Sequence, residues 1–255
     1  MKFLRIKCKG IFNSFRQYDF QTYHRTYPLP LKTTIGGMLG SALGISPQEV
    51  NDKWLINDRF LMGIVGESEG KANDLWQIRK YENKQMMAFE KGIADAPYKT
   101  AVIMRELLYD SSFILYLTFL NDLDFQMIHD KLINPEWALS LGREDELIKI
   151  SDLDIISLEK QKNLSYKNTV VPLDLSVIEY KINFSNNSGK NYSKNLLEEA
   201  PQILKIPIAF NYDDNTNERV AIEFKIFSFI SNLEINLPNE MWYYDETLNL
   251  AFQIF

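Results

Sequence analysis

The chain has 255 residues, and its 45% hydrophobic and 24% charged composition supplies enough apolar surface for a sizeable core, which excludes intrinsic disorder. At roughly 150 residues per domain, the length fits one large domain or two small ones. The 28 Lys+Arg against 34 Asp+Glu give a formal charge of −6, which taken whole argues against a nucleic-acid binder, because phosphate neutralisation needs surplus basic charge. The distribution reverses that inference. Residues 1–35 carry seven basic side chains (Lys2, Arg5, Lys7, Lys9, Arg16, Arg25, Lys32) and one acid, Asp19. Residues 71–105 carry seven basic and four acidic groups, whereas residues 106–255 carry 12 and 24. A basic N-terminal face is therefore expected on an acidic body.

In chain order, residues 2–8 alternate basic and apolar, the period of a half-buried strand with one charged face. From Gly10 to Leu31 there is no helical period, and Pro28 and Pro30 close the stretch, which reads as a long ordered loop. A helix is expected to start at Thr33 or Thr34, either of which can serve as N-cap, and to run to about Gly44. Residues 60–65 and 113–120 are apolar runs of strand length. Residues 66–110 between them are polar and mixed in charge, as in an extended hairpin or arm. Leu123, Met127 and Ile128 stand at helical spacing, and Asn134-Pro135 ends that helix. Residues 147–158 are rich in β-branched side chains and read as a strand. This order, strand-helix-strand-strand-helix-strand, is that of a ferredoxin-like fold, the topology of RNA-recognition modules. Beyond residue 165 the chain turns strand-rich. The fold class expected is therefore α+β, with a β-α-β-β-α-β domain over 1–160, an inserted arm at about 66–110, and a β-rich region over 161–255.

The lone cysteine, Cys8, leaves no disulfide framework and no cysteine-cluster zinc site. It suits a reducing compartment, and a cytoplasmic location is expected. The longest apolar run, Phe113 to Leu120, is eight residues, far short of the ~20 needed to span a bilayer, so no membrane partner is expected. Arg5 and Lys7 interrupt what would be the apolar core of a signal peptide.

The segment Phe12 to Lys32 is the most informative. Phe12, Phe15, Tyr18, Phe20, Tyr23 and Tyr27 are interleaved with Arg16, His24, Arg25 and Lys32. Unpaired bases stack on aromatic faces while basic groups hold phosphates, so this mixture points to single-stranded RNA, with Tyr23 among the candidate stacking rings. The same rings would otherwise anchor the loop to the core. Next, Gly36, Gly40 and Gly44 recur every fourth residue, lining one helix stripe. Glycine costs ~1 kcal/mol per helix position relative to alanine, so the stripe needs a close-packing or binding reason. Lys32 with the N–H groups of the first helical turn would make an anion site. A nucleotide-binding P-loop is excluded, because Ile45 follows Gly44 where that motif needs Lys-Ser/Thr. Two histidines are available for acid–base work. His129 lies in the second helix. His24 lies in the basic loop and is the candidate general base of a metal-independent endoribonuclease. The acidic cluster Glu144-Asp145-Glu146, and Asp122 with Asp124, read as solvated turns rather than metal ligands. No metal or cofactor is expected.

The Phe15-Arg16 loop, His24-Arg25-x-Tyr27-Pro28, PLPLKTTIGGMLGSALG (28–44), MRELLYDSSFILYL (104–117) and LSLGRED (139–145) together resemble the CRISPR-associated "Cas five" family of the RAMP superfamily, nearest its type I-B branch. The resemblance covers roughly residues 1–150. It implies a subunit of the Cascade surveillance complex, a ribonucleoprotein of antiviral defence. Such a subunit caps the 5′ handle of the guide RNA, contacts the backbone subunit through its thumb, helps seat the large subunit, and sits in a complex that engages target DNA. Carried onto this chain, the resemblance places Arg16, His24, Arg25, Lys32, Thr33 and Thr34 at the handle. It places Arg79, Lys80, Lys84 and Lys99 on the RNA-facing side of the thumb. The Lys-His pair of the family's RNA-cutting branch is missing, since His129 is followed by Asp130 and Lys131. A non-catalytic subunit is expected, with endoribonuclease processing of precursor RNA as the alternative.

Overall fold

The computed structural model describes residues 1–20, 22–56, 59–80, 99–162, 164–182, 200–212 and 219–255. The chain opens with strand β1 (Lys2–Asn13), then a two-residue strand β2 (Tyr23–His24), helix α1 (Lys32–Leu43), a single turn α2 (Pro47–Val50) and a π-helical turn at Asn51–Leu55. Two long strands follow, β3 (Phe60–Lys80) and β4 (Lys99–Phe119), then helix α3 (Asp122–Ile133) and strand β5 (Ile148–Ser157). Among the described residues the remaining elements are strands: β6 (Lys160–Gln161), β7 (Ser165–Tyr166), β8 (Thr169–Val171), β9 (Lys181–Ile182), β10 (Gln202–Tyr212), β11 (Arg219–Ile230), β12 (Ile235–Asn236), β13 (Trp242–Asp245) and β14 (Leu250–Phe252). The architecture is mixed α/β, dominated by strand.

One eight-stranded sheet organises the molecule, in the order β10-β11-β8-β3-β4-β1-β5, with β2 added in parallel beside β4. Its first-half strands, β3, β4, β1 and β5, are antiparallel neighbours. Strand β8 continues the sheet across residue 160, pairing with β11 and, through Thr169, with Val65 of β3. The main core lies between this sheet and helices α1 and α3, where Leu4, Ile6, Ile35, Leu39, Trp54, Phe60, Ile64, Leu115 and Ile128 are buried. A second cluster, around Phe3, Tyr116, Tyr243 and Phe252, fills the other face.

Several expectations are corrected here. The alternation in residues 2–8 does not make an open basic face. Arg5 is buried, paired with Asp154 opposite it on β5 and with Asp245 at 2.9 Å. Lys7 meets Asp152, its cross-strand partner, at 2.8 Å. Acids at period two on β5 thus neutralise bases at period two on β1. The stretch from Gly10 to Leu31 is only partly loop: β1 runs on to Asn13, and β2 pairs in register with Met104 and Arg105. Neither Thr33 nor Thr34 caps α1. The N-cap is Leu31, whose carbonyl accepts from Thr34 and Ile35, and the helix begins at Lys32. Gly44 ends the helix in the left-handed conformation, φ 71°, as a C′ glycine does.

The glycine stripe packs against a helix. A Cβ on Gly36 would lie 3.2 Å from Val50 Cγ1, and one on Gly40 would lie 2.8 Å from Val50 Cγ2. Strands β3 and β4 pair in one register from Phe60↔Phe119 to Lys80↔Lys99, skipping only Glu69 and Asp110, the latter at φ 47°. Of the expected arm at 66–110, residues 66–80 and 99–110 are therefore the outer parts of two core strands, and 81–98 lie outside the described residues. Their inner ends bury Phe60, Met62, Ile64, Leu115 and Leu117, while farther out Leu75, Trp76 and Val102 are exposed.

Candidate nucleic-acid interface

Where the arm leaves the core, four segments converge. The first is the turn after β1. Phe15 and Tyr27 are joined by a backbone hydrogen bond of 2.8 Å, Gln17 donates to the Arg25 carbonyl at 2.9 Å, and Arg16 and Thr26 form a bridge. This ladder holds Phe15–Gln17 against Arg25–Tyr27 as a narrow hairpin. It buries Phe15 and Tyr27 and leaves Phe12, Tyr18, Phe20 and Tyr23 exposed. The six aromatics therefore divide by role, two anchoring the loop and four remaining available for stacking.

The second and third segments are the arm strands. Arg105 on β4 faces Asp74 on β3 and forms a two-pronged ion pair with it, Nε–Oδ2 being 3.0 Å. Its guanidinium also lies 4.4 Å from the centre of the half-exposed Trp76 ring. Thr26 N–H donates to Glu106 at 3.0 Å, fastening the loop to the arm, and Tyr23 Oη reaches Asn73 Oδ1 at 3.3 Å.

The fourth is the turn 141–147. Glu146, expected in a solvated turn, is buried and accepts from the Ser14 N–H at 2.7 Å, the Arg143 N–H at 2.9 Å and the Ser14 hydroxyl. Burial pushes its carboxyl above the ordinary range despite these hydrogen bonds. The turn also requires Gly142, which sits at φ 118°. With its backbone so clamped, Arg143 extends over Trp76, 5.2 Å from the ring centre, and its Nη2 lies 2.9 Å from His24 Nδ1. A guanidinium only donates, so Nδ1 of His24 is the acceptor and carries no proton.

Arg143 holds its proton less tightly than a free guanidinium, first because burial desolvates it and then because Arg105 and Arg16 repel it. Asp145 and Glu146 offset part of that repulsion. A phosphate held by the exposed Arg16 and the half-buried Arg143 would relieve the rest beside exposed rings, while Arg105, buried and paired with Asp74, supports the Trp76 ring. This is the chemistry of a site for single-stranded nucleic acid.

The structure brings Arg16, Tyr23, His24 and Arg25 of the sequence-expected set to this place. Arg16 is exposed and donates to the Phe20 carbonyl at 3.2 Å, and the Arg25 guanidinium lies 5.3 Å from the centre of the Phe20 ring. His24 is buried. Lys32 is buried too, with its ammonium 5.0 Å from the centre of the Phe60 ring, so burial removes it from the exposed surface; Thr33 and Thr34 are half-buried on α1. Arg79 and Lys99 are exposed farther out on the arm. Lys80 pairs with Lys99 through the backbone, and Lys84 lies outside the described residues. Sequence reasoning missed Trp76, Arg105 and Arg143 as site residues. Arg105 and Arg143 stand inside MRELLY and LSLGRED, motifs that carried the resemblance, whereas Trp76 had no local signal.

Comparison with solved structures finds distant likenesses. A chain of a "CRISPR RNA-guided surveillance complex" is 16% identical, with 91% of each chain covered and a TM-score of 0.48. The "Crystal structure of a CRISPR protein from Archaeoglobus fulgidus" is 12% identical over 99% of this chain and 98% of that one, with a TM-score of 0.49. No curated protein matches the chain. The family described as "CRISPR-associated protein (Cas_Cas5)" matches residues 3–199, which include the arm, the aromatic loop and the Arg143 turn. The chain belongs to the CRISPR-associated Cas5 family.

Proposed function

We propose that this protein is a non-catalytic subunit of a CRISPR effector complex, a Cascade of the type I-B branch, that holds the 5′ handle of the guide RNA. The observation that carries the reading is the pair of guanidinium groups, Arg105 and Arg143, set against the half-exposed Trp76 at the root of the arm, with the exposed Arg16 near enough to repel Arg143. Guanidinium groups supply phosphate contacts and Trp76, Tyr23 and Phe20 supply stacking faces, a combination that suits unpaired RNA better than duplex. In the first half of the chain, β1-α1-β3-β4-α3-β5 in the sheet order β3-β4-β1-β5 supports a ferredoxin-like unit over residues 1–160. The arm, with Arg79 and Lys99 exposed, is the element that reaches the backbone subunit and the RNA passing it. The large subunit and target DNA are the further partners of the complex, and the cytoplasm is its compartment.

A holding role accords with the state of His24. The ring is buried and its Nδ1 accepts from Arg143, so it positions a phosphate-binding guanidinium. Purified protein incubated with repeat RNA in chelator is expected to leave the RNA intact, and cleavage that depends on His24 would favour the endoribonuclease reading. RNA affinity is expected to fall steeply between ~50 and ~200 mM salt. The Arg16→Glu/Arg25→Glu double variant is expected to lose assembly with guide RNA, and normal assembly by it would count against the grip.

A further inference from the structure

We infer that the RNA surface continues from the aromatic loop onto the β10–β11 pair, where Phe224 and Tyr18 form a second base-stacking platform flanked by Lys205. This rests on the RNA-binding reading above and extends it beyond residues 3–199, the part of the chain that the family model matches. Tyr27 stacks on Phe229 with ring centres 5.6 Å apart, both rings buried, which anchors the loop to the inner part of β11. Farther out, Tyr18 meets Phe224 edge to face at 6.0 Å, and here both rings are exposed, by 53% and 39%. The Lys205 ammonium lies 5.5 Å from the centre of the Phe224 ring, and the Arg25 guanidinium stands in the same relation to exposed Phe20.

Exposed rings that each carry a cation are the chemical complement of a nucleotide: the ring face takes the base and the cation takes the phosphate. Lys205 pairs across the strands with Ile226, which shares a strand face with Phe224 and is also exposed, so the platform has an apolar border. The loop that supplies Tyr18 and Phe20 also supplies Arg16 at the root of the arm. A single strand held beside Arg16 and Arg143 can therefore run along that loop to Phe224 over aromatic and basic surface interrupted in the loop by the exposed Asp19.

The test measures binding of the full chain to a fluorescein-labelled single-stranded RNA of about 12 nucleotides, and to an abasic oligomer of equal charge. Phe224→Ala is expected to weaken binding of the RNA by about tenfold or more. It should leave the dependence on salt unchanged and hardly alter binding of the abasic oligomer. Phe224→Trp is expected to bind at least as tightly as the native chain, which keeps the inference testable if the alanine variant unfolds. RNA carrying 5-iodouridine should photo-cross-link to Tyr18 or Phe224. Native-like RNA binding by Phe224→Ala, with weakened binding by Arg143→Ala, overturns the platform and leaves the proposed function standing. Unchanged binding by both variants overturns both. Intact RNA affinity with lost complex assembly in Phe224→Ala would mark the face as a protein contact and likewise overturn the platform.

Discussion

Gly142 sits at φ 118°, and a Cβ added there would fall inside contact distance of Glu146 and 2.5 Å from the Ser14 carbonyl oxygen. That constraint, with the buried Glu146 carboxylate, fixes the direction in which Arg143 leaves the backbone. Two expectations belong to this scale. Arg143→Ala should weaken RNA binding and lower the salt slope by about one, as for the loss of one phosphate contact. Arg143→Lys should not restore native affinity, because stacking over Trp76 and donation to His24 use the planar fork of a guanidinium. Glu146→Gln should keep the fold, since an amide can still accept from both N–H groups, whereas Glu146→Ala should cost about 1–3 kcal/mol by orphaning them. The pH dependence follows from the sign of the shift. Burial raises the folded-state carboxyl above its ordinary value of 4.5, so the folded state binds the proton more tightly than the unfolded one. This group's contribution is therefore most favourable at acid pH and falls as pH rises through that raised value. Glu146→Gln should remove that component from denaturant midpoints measured across the range. A sequence that shows three consecutive acids gives no indication that the third is buried, because the burial comes from Ser14, 132 residues away.

Among the elements, β1 shows most clearly where a local pattern misleads. Its alternating bases suggested an open cationic face, yet Asp152 and Asp154 on β5 stand opposite Lys7 and Arg5 and consume that charge. The acids were visible in the sequence, and only the β1–β5 pairing shows what they face. The extended character of 66–80 and 99–110 was legible because polar strands read as such, while their length depends on pairing in one register back into the core. Helix α1 was legible as a segment between the threonines and Gly44, whereas its N-cap was not, because Leu31 has no capping side chain. The glycines of α1 lead to opposite predictions. Gly40→Ala should lower stability despite alanine's better helix propensity, because Val50 is buried, β-branched and only 2.8 Å from the new Cβ. Gly37→Ala meets nothing within 4 Å and should raise stability by about 1 kcal/mol. Equilibrium urea unfolding of the two variants checks both signs.

For the whole molecule, the two halves of the chain share a sheet and a buried charge network. Arg5 and Asp245, 240 residues apart, are joined at 2.9 Å, and Tyr116 Oη donates to the same carboxylate at 3.0 Å. Met62 and Phe255 exchange two backbone hydrogen bonds of 3.0 Å, and Phe252 stacks on Tyr116 with centres 3.9 Å apart. Burial alone would raise the Asp245 carboxyl, but hydrogen bonds from Thr247, Arg5 and Tyr116 outweigh it and hold the group below its ordinary 3.8. Its contribution is thus present above that value and lost as pH falls through the depressed folded value. Asp245→Ala should cost about 3–5 kcal/mol near neutrality, since it strands part of a buried guanidinium, and should flatten the acid limb of the stability curve. Net charge belongs to this scale as well. The total of −6 concealed a basic N-terminal segment, and that segment in turn overstated the open charge, because Arg5 and Lys7 face acids and Lys32 is buried.

The central claim is that the arginine cluster at the root of the arm holds guide RNA. Its most direct test is to isolate the assembled complex with native chain, or with Arg16→Glu/Arg143→Glu, and to sequence the RNA retained at equal protein. The native complex is expected to yield RNAs sharing one 5′ handle, and the variant to retain little RNA or RNA without a protected handle. Equal recovery of handle-bearing RNA from both would contradict the account.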